Sequence, residues 1–270
     1  MGDPIGRFNV DGESLSLALR GGRRVYGTCI TSIAPHWLGM ASELRLDFAF
    51  LDTEHTPIDR GTLSWLCRYY RELGIAPIVR IPSPDPYQAC CALDGGASGI
   101  IAPYVETVEQ VQSLRGAVKL RPLKGDRLTK ILTGEDLPEP ELDRYIHERN
   151  AGNVLVINVE SRPALDRLDD LLAVPGLDAV LIGPHDLSCS LGVPEQYGHP
   201  TFLAAVSTII SKSRAANVGV GLHYSEDTNR EIEWAREGAN FIVHSSDQHA
   251  ARMALRAEFD VLRRSMGDAQ

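Results

Sequence analysis

Four charged or ionisable side chains in this chain stand where short apolar runs break, and their types fit one reaction. Glu160 and Asp186 follow the runs at 154–159 and 179–183 and are separated by about one strand–helix unit. Two carboxylates brought side by side in a cleft stay ionised together only with a cation between them. An all-oxygen, open site suits Mg2+ or Mn2+, with Co2+ as a further candidate. Zinc fits less well, because no His/Cys cage accompanies the pair. Each carboxylate also has a simpler role open to it. Glu160 could cap a helix starting near Pro163, and Asp186 could cap the turn before Leu187. Arg80 ends the run 76–80 and needs either an internal partner, Asp52 or Glu54, or an anionic ligand. His55 follows Asp52 by three residues, and a carboxylate beside an imidazole favours the protonated form that a general base must reach. A divalent ion and an arginine can hold a 2-oxo acid and stabilise its enolate while a histidine moves the proton. No lysine falls at a strand end, so Schiff-base chemistry has no candidate.

Positioning these groups requires a repeating scaffold, and the hydropathy pattern supplies one. Apolar runs at 25–30, 48–52, 76–80, 99–103, 154–159, 179–183, 218–222 and 241–244 alternate with amphipathic stretches of helical period. Near-continuous apolar strands alternating with helices predict a parallel sheet covered on both faces. Eight units in about 250 residues predict a (β/α)8 TIM barrel, whose C-terminal strand ends converge on one mouth. A doubly wound open sheet would not need eight units, and no GxGxxG follows any strand. The expected division is an N-terminal extension at 1–24 with a short helix near 14–20, a barrel at 25–264 and a frayed tail at 265–270. Residues 121–150, charged and proline-rich, read as an extended loop carrying one helix near 140–149.

Composition limits the function classes. The 270 residues carry a formal charge of −9, which argues against nucleic acid or an anionic membrane surface as partner. Five scattered cysteines without CxxC spacing read as reduced thiols of a cytoplasmic protein. No basic-then-apolar leader begins the chain, and no apolar run approaches membrane-spanning length.

The segments Leu51-Asp52-Thr53-Glu54-His55, Val79-Arg80-Ile81-Pro82, Val159-Glu160-Ser161 and Ile182-Gly183-Pro184-His185-Asp186-Leu187-Ser188 together resemble the HpcH/HpaI aldolases, metal-dependent class II pyruvate aldolases. The resemblance runs from about Val25 to about Leu262. It implies a barrel of the phosphoenolpyruvate/pyruvate type, assembled into trimers or hexamers through an exchanged C-terminal helix. It also implies Glu160 and Asp186 as metal ligands, Arg80 on the pyruvate oxygen, and His55, backed by Asp52, as acid and base. The backbone around Gly183, His185 and Asp186 would receive the carboxylate. Four features depart from the pattern. Asn158 stands where relatives often have glutamine, His185 where they have a small residue, and His223 or Tyr224 near a position that is often aliphatic. The segment 121–127 leads into a distinct insertion. These departures surround the aldehyde end of the pocket, where Asn158 and His223 are candidate substrate contacts. The resulting expectation is reversible cleavage of a 4-hydroxy-2-oxo acid to pyruvate and an aldehyde. Two alternatives stand beside it: oxaloacetate decarboxylation or biosynthetic carbon–carbon bond formation through the same enolate, and a barrel that binds an oxo acid without turnover.

Overall fold

The computed structural model describes residues 10–268. Eight strands, β1 (Val25–Ile30), β2 (Phe48–Asp52), β3 (Ala76–Arg80), β4 (Gly99–Ala102), β5 (Val154–Val159), β6 (Ala179–Ile182), β7 (Gly219–Tyr224) and β8 (Phe241–Ser246), close into a parallel barrel in chain order. Parallel strands have both faces covered, which is why β2, β4, β5 and β6 are buried along their whole length. The eight-unit barrel expected from the sequence is the fold observed.

Two cores result. Inside the barrel, Phe48, Phe50, Ile78, Ile101, Val156, Leu181 and Phe241 pack with Leu15 and Leu19 of α1 (Gly12–Gly21). Both leucines are fully buried, so α1 is a plug in the barrel floor, and each contributes roughly 1.5–3 kcal/mol of burial. Outside, the strands' other faces pack against α2 (Pro35–Ala41), α3 (Arg60–Glu72), α4 (Pro86–Asp94) and α5 (Val108–Lys119) on one side. The rest of the ring is α8 (Arg162–Asp166), α9 (Leu168–Leu172), α11 (Pro200–Ala215) and α12 (Thr228–Glu237).

Several elements differ from expectation. The 121–150 segment holds two helices, α6 (Gly125–Thr133) and α7 (Pro140–Asn150), where one was expected. The apolar side of α6 lies on α5, with Leu128 and Leu132 against Gly116. The helical stretch between β5 and β6 is broken at Arg167 (φ −106°, ψ 13°) into α8 and α9. A short helix, α10 (Pro184–Ser190), follows β6 directly, begun by Pro184 in its first turn. Strands β7 and β8 each run two residues further than their apolar runs, so His223 and Tyr224 lie within the sheet. The last helix, α13 (Asp247–Met266), ends in a left-handed Gly267 cap. Of the N-terminal stretch, 1–9 lie outside the described residues, as do 269–270 of the tail. No described helix is long and apolar enough to cross a membrane.

Candidate active site

Strand register brings the chemistry-bearing residues to one level. Asp52 is the register partner of Arg80 across β2 and β3. Val159 is the partner of Ile182, so the next residues, Glu160 and Gly183, leave the sheet side by side. They open into a cavity of about 510 Å3 lined by Asp52, His55, Arg80, Asn158, Glu160 and His223, among others, and rimmed by the first turn of α10.

Arg80 is held twice. Its Nε and Nη2 each donate to Asp52 at 2.8 Å, a bidentate pair, and Nε lies 3.1 Å from Glu54 Oε2. Nη1 has no hydrogen-bond partner among the described residues and is not sealed from the cavity. The internal ion pair and the ligand-binding role, alternatives in the sequence, therefore coexist in one side chain. Burial opposes the charge on both partners, but their mutual pairing wins. The Asp52 carboxyl lies below its ordinary range, and the Arg80 guanidinium is raised.

Asp52 does not support His55. Both its oxygens are turned to Arg80, because a neighbouring guanidinium in register offers two charge-assisted bonds where the loop imidazole offers one. His55 stands in an irregular segment with its side chain 65% exposed and Nε2 3.7 Å from Glu54 Oε1. The carboxylate nearest His55 is therefore Glu54.

Glu160 is buried at 7% exposure, with Oε1 accepting from the Tyr104 amide and Oε2 from Asn158 Nδ2, both at 2.8 Å. Burial raises its pKa, and the charges of Asp186 and Glu54 push in the same direction against those two donors. Asp186 is exposed in the first turn of α10. Gly183 reports how close the two carboxylates come: a Cβ there would stand 2.7 Å from Glu160 Oε2 and 3.7 Å from Asp186 Oδ2. Two carboxylate oxygens thus face one hollow that any larger residue would fill. Their like-charge repulsion and the raised pKa of Glu160 are what a divalent cation would relieve, so this donor set fits one. No group of three or more His, Cys, Asp or Glu side chains that could hold a metal is found among the described residues.

The remaining expected residues divide. Asn158 does not face ligand through its amide nitrogen, which orients Glu160; its Oδ1 is buried without a partner. Gly183 is the N-cap of α10, and the amides of His185 and Asp186 make no hydrogen bond among the described residues, as first-turn amides lack intrahelical acceptors. The His185 side chain is exposed at the rim. His223 lines the cavity floor against Phe50, ring centroids 5.5 Å apart, while Arg80 lies over the same ring at 5.1 Å.

Tyr104 is the residue sequence reasoning missed. Strand β4 ends at Ala102 and is followed by Pro103-Tyr104, with no charge to draw attention. A left-handed backbone (φ 56°) turns the Tyr104 amide onto Glu160, and its hydroxyl faces Glu54, which with burial and the charges of Glu160 and Asp186 pushes its pKa to about 12. Positive φ at a non-glycine residue has no signal in sequence.

Comparison with known proteins identifies the family and the fold. Residues 29–254 match the family model described as HpcH/HpaI aldolase/citrate lyase. A 2-keto-3-deoxy-L-rhamnonate aldolase of Salmonella dublin is 32% identical over 236 residues, covering 85% of each chain. The crystal structure of an HpcH/HpaI aldolase from Desulfitobacterium hafniense DCB-2 superposes with a TM-score of 0.80 at 25% identity, covering 92% of this chain and 96% of that one. The structure of citrate synthase SbnG does so at 0.80 and 26%, covering 95% of this chain and 100% of that one.

Proposed function

This chain belongs to the HpcH/HpaI aldolase/citrate lyase family, and from that premise we propose that it is a divalent-metal-dependent aldolase cleaving a 4-hydroxy-2-oxo acid reversibly to pyruvate and an aldehyde. The observation that carries this is the convergence of Glu160 and Asp186 oxygens on the Gly183 hollow, in the same cavity as the free Nη1 of Arg80. Glu160 and Asp186 hold the cation, Mg2+ or Mn2+, which supplies Lewis acidity toward the 2-oxo acid when bound. Arg80 Nη1 donates to the C2 oxygen, whose negative charge grows as the C3–C4 bond breaks and its electron pair moves toward that oxygen. The free amides of His185 and Asp186 receive the carboxylate. His55 takes the proton of the C4 hydroxyl as the aldehyde leaves, and the same imidazole then delivers a proton to C3 to give pyruvate. Glu54, at 3.7 Å, stabilises the imidazolium formed between these steps. Asp52 keeps Arg80 aimed. By likeness to the Salmonella enzyme, the substrate is of the 2-keto-3-deoxy sugar-acid class.

The test is pyruvate release from such acids with Mg2+ or Mn2+ present. Activity should vanish in EDTA and return with metal, and full activity in EDTA would overturn the proposal. The likeness to citrate synthase SbnG favours one second reading, carbon–carbon bond formation onto a 2-oxo acid acceptor. Condensation of pyruvate with oxaloacetate but with no aldehyde would select it.

The enzyme acts as a homo-oligomer in the cytoplasm. Helix α13 is fastened at its first residue, where Asp247 accepts from Thr31 N, Thr31 Oγ1 and Ser32 N, and then leaves the barrel. Leu255, Phe259, Leu262 and Met266 form an exposed stripe at helical spacing. The outer face of β1 and β8 beside α12 holds a cavity of about 500 Å3 lined by Tyr26, Ile232 and Ile242. Exchange of α13 between copies covers both apolar surfaces at once.

A further inference from the structure

The imidazole of His223 is deep in the mouth, and the structure fixes how it presents itself. Its Nε2 lies 2.9 Å from the carbonyl oxygen of Ser245. That oxygen can only accept, so the proton of the ring is on Nε2. Ser245 has a left-handed backbone (φ 57°), which turns its carbonyl onto the ring and holds this tautomer. The ring is also neutral near pH 7: burial lowers its pKa to about 4, with Arg80 nearby adding to the effect against the Ser245 bond. Nδ1 therefore carries a lone pair. It makes no hydrogen bond among the described residues and is not among the buried unpartnered atoms, in keeping with a ring that lines the cavity. The imidazole thus offers a single, oriented acceptor to whatever occupies the floor.

We infer that His223 is a specificity-determining residue for the acceptor aldehyde, taking a hydrogen bond at Nδ1 from a hydroxyl group of an uncharged hydroxyaldehyde. The inference rests on the aldolase reading and names the chemistry of its second substrate. Alternatives fit the floor less well. A plain alkyl aldehyde would leave the acceptor buried and unpaired when the mouth fills, a desolvation cost with no return. A carboxylate-bearing semialdehyde would meet the lone pair with another. The nearest cation, Arg80, already has two of its nitrogens on Asp52. The acceptor-free half of the reaction uses none of this, since the oxo acid is handled by Arg80, Glu160 and Asp186.

The experiment compares kcat/KM for condensation of pyruvate with lactaldehyde, with propanal, which has the same carbon skeleton without the hydroxyl, and with succinic semialdehyde. Wild type should prefer lactaldehyde over propanal by about tenfold or more, with the semialdehyde poorer than lactaldehyde. His223→Leu should bring the lactaldehyde/propanal ratio down about tenfold, mainly through a higher KM for lactaldehyde. His223→Asn keeps a carbonyl acceptor and should retain part of the preference. It also replaces the leucine variant if that one does not fold. A His223→Leu ratio equal to wild type's, or a wild type that prefers propanal or the semialdehyde, overturns the inference. Pyruvate methyl-proton exchange in D2O by wild type separates the two levels. Exchange without hydroxyaldehyde preference defeats only the His223 inference, whereas no exchange in the presence of metal defeats the aldolase reading beneath it.

Discussion

The two ends of the barrel treat buried polar groups in opposite ways. At the floor, Asp178 is fully buried and saturated. Oδ1 accepts from Ser16 of the α1 plug at 2.6 Å, and Oδ2 from Lys119 at 2.6 Å and the Leu155 amide at 2.8 Å. Asn240 is likewise saturated, accepting from the Val220 amide and donating to Leu19 O and Arg23 O. At the mouth, Arg80 Nη1 and His223 Nδ1 are unpartnered and open to the cavity, Asn158 Oδ1 is buried and unpaired, and Glu160 is strained by neighbouring charge. Buried polar atoms are normally satisfied, so Asn158 Oδ1, left over inside the mouth, stands where a ligand can complete the set. The floor uses its charges to hold elements together; the mouth holds its charges ready.

That contrast can be broken by paired substitutions. Glu160→Gln should lower kcat/KM for pyruvate release by about a thousandfold or more, through loss of a cation-holding carboxylate. Its Tm should stay level or rise, because the substitution removes one of two carboxylates forced together. Asp178→Ala should do the reverse. It strands Lys119 and the Leu155 amide at a dry site and should cost about 3–5 kcal/mol, read by urea denaturation, with kcat per folded enzyme within about twofold of wild type. A Glu160→Gln enzyme that loses stability as heavily as Asp178→Ala would erase the distinction between the ends.

The helices show a parallel difference. Helix α11 buries Phe202, Ala205, Val206, Ile209, Ile210 and Ser213, whereas α13, four residues longer, buries Asp247 alone. Phe259→Asp with Leu255→Asp should leave the barrel's far-UV CD signal nearly unchanged but shift the protein to monomer in light scattering. If the double variant retains the wild-type mass, the apolar stripe is not a subunit contact.

The barrel was legible because a buried parallel strand must be apolar on both sides, and 99–103 or 154–159 can be little else. The closeness of Glu160 to the turn that carries Asp186 was legible for a related reason: register fixes that residues one past matched strands lie together, as Glu160 and Gly183 do. What stayed hidden depends on competition between partners. The spacing of Asp52 and His55 suggested a pair, yet cross-strand register gave Asp52 to Arg80 instead. Asn158 was expected on the substrate; its amide nitrogen is committed to Glu160, while its Oδ1 is buried without a partner. Tyr104 and Ser245 act through positive-φ backbone, which no side-chain pattern announces. The unexpected helix of 121–150, α6, carries Leu128, Ile131 and Leu132 at helical spacing but is only nine residues long and starts at Lys124 without a side-chain cap, so nothing marked its beginning.

The smallest effect expected is the most specific to the mouth. His223 has a folded pKa of about 4 against an ordinary 6.5, so below pH 6.5 the unfolded chain binds more protons at this position than the folded one. Stability therefore falls as pH drops from 6.5 toward 4 and levels off below that. The pKa of Glu160 is raised, which has the opposite sign, since a carboxyl that protonates more readily in the folded state stabilises it on acidification. Asp52, whose pKa is lowered, contributes its loss mostly below about pH 4, at the acid edge of the window. The informative quantity is thus the difference between wild type and His223→Leu, in which the carboxylate contributions cancel. Between pH 7 and pH 5 wild type should lose about 1 kcal/mol more than the variant, after allowing for water in the open mouth. Urea denaturation at pH 7, 6 and 5 measures it. Parallel slopes for the two proteins would mean that the ring is not held neutral by its burial, and that the floor of the mouth is wetter than the packing against Phe50 implies.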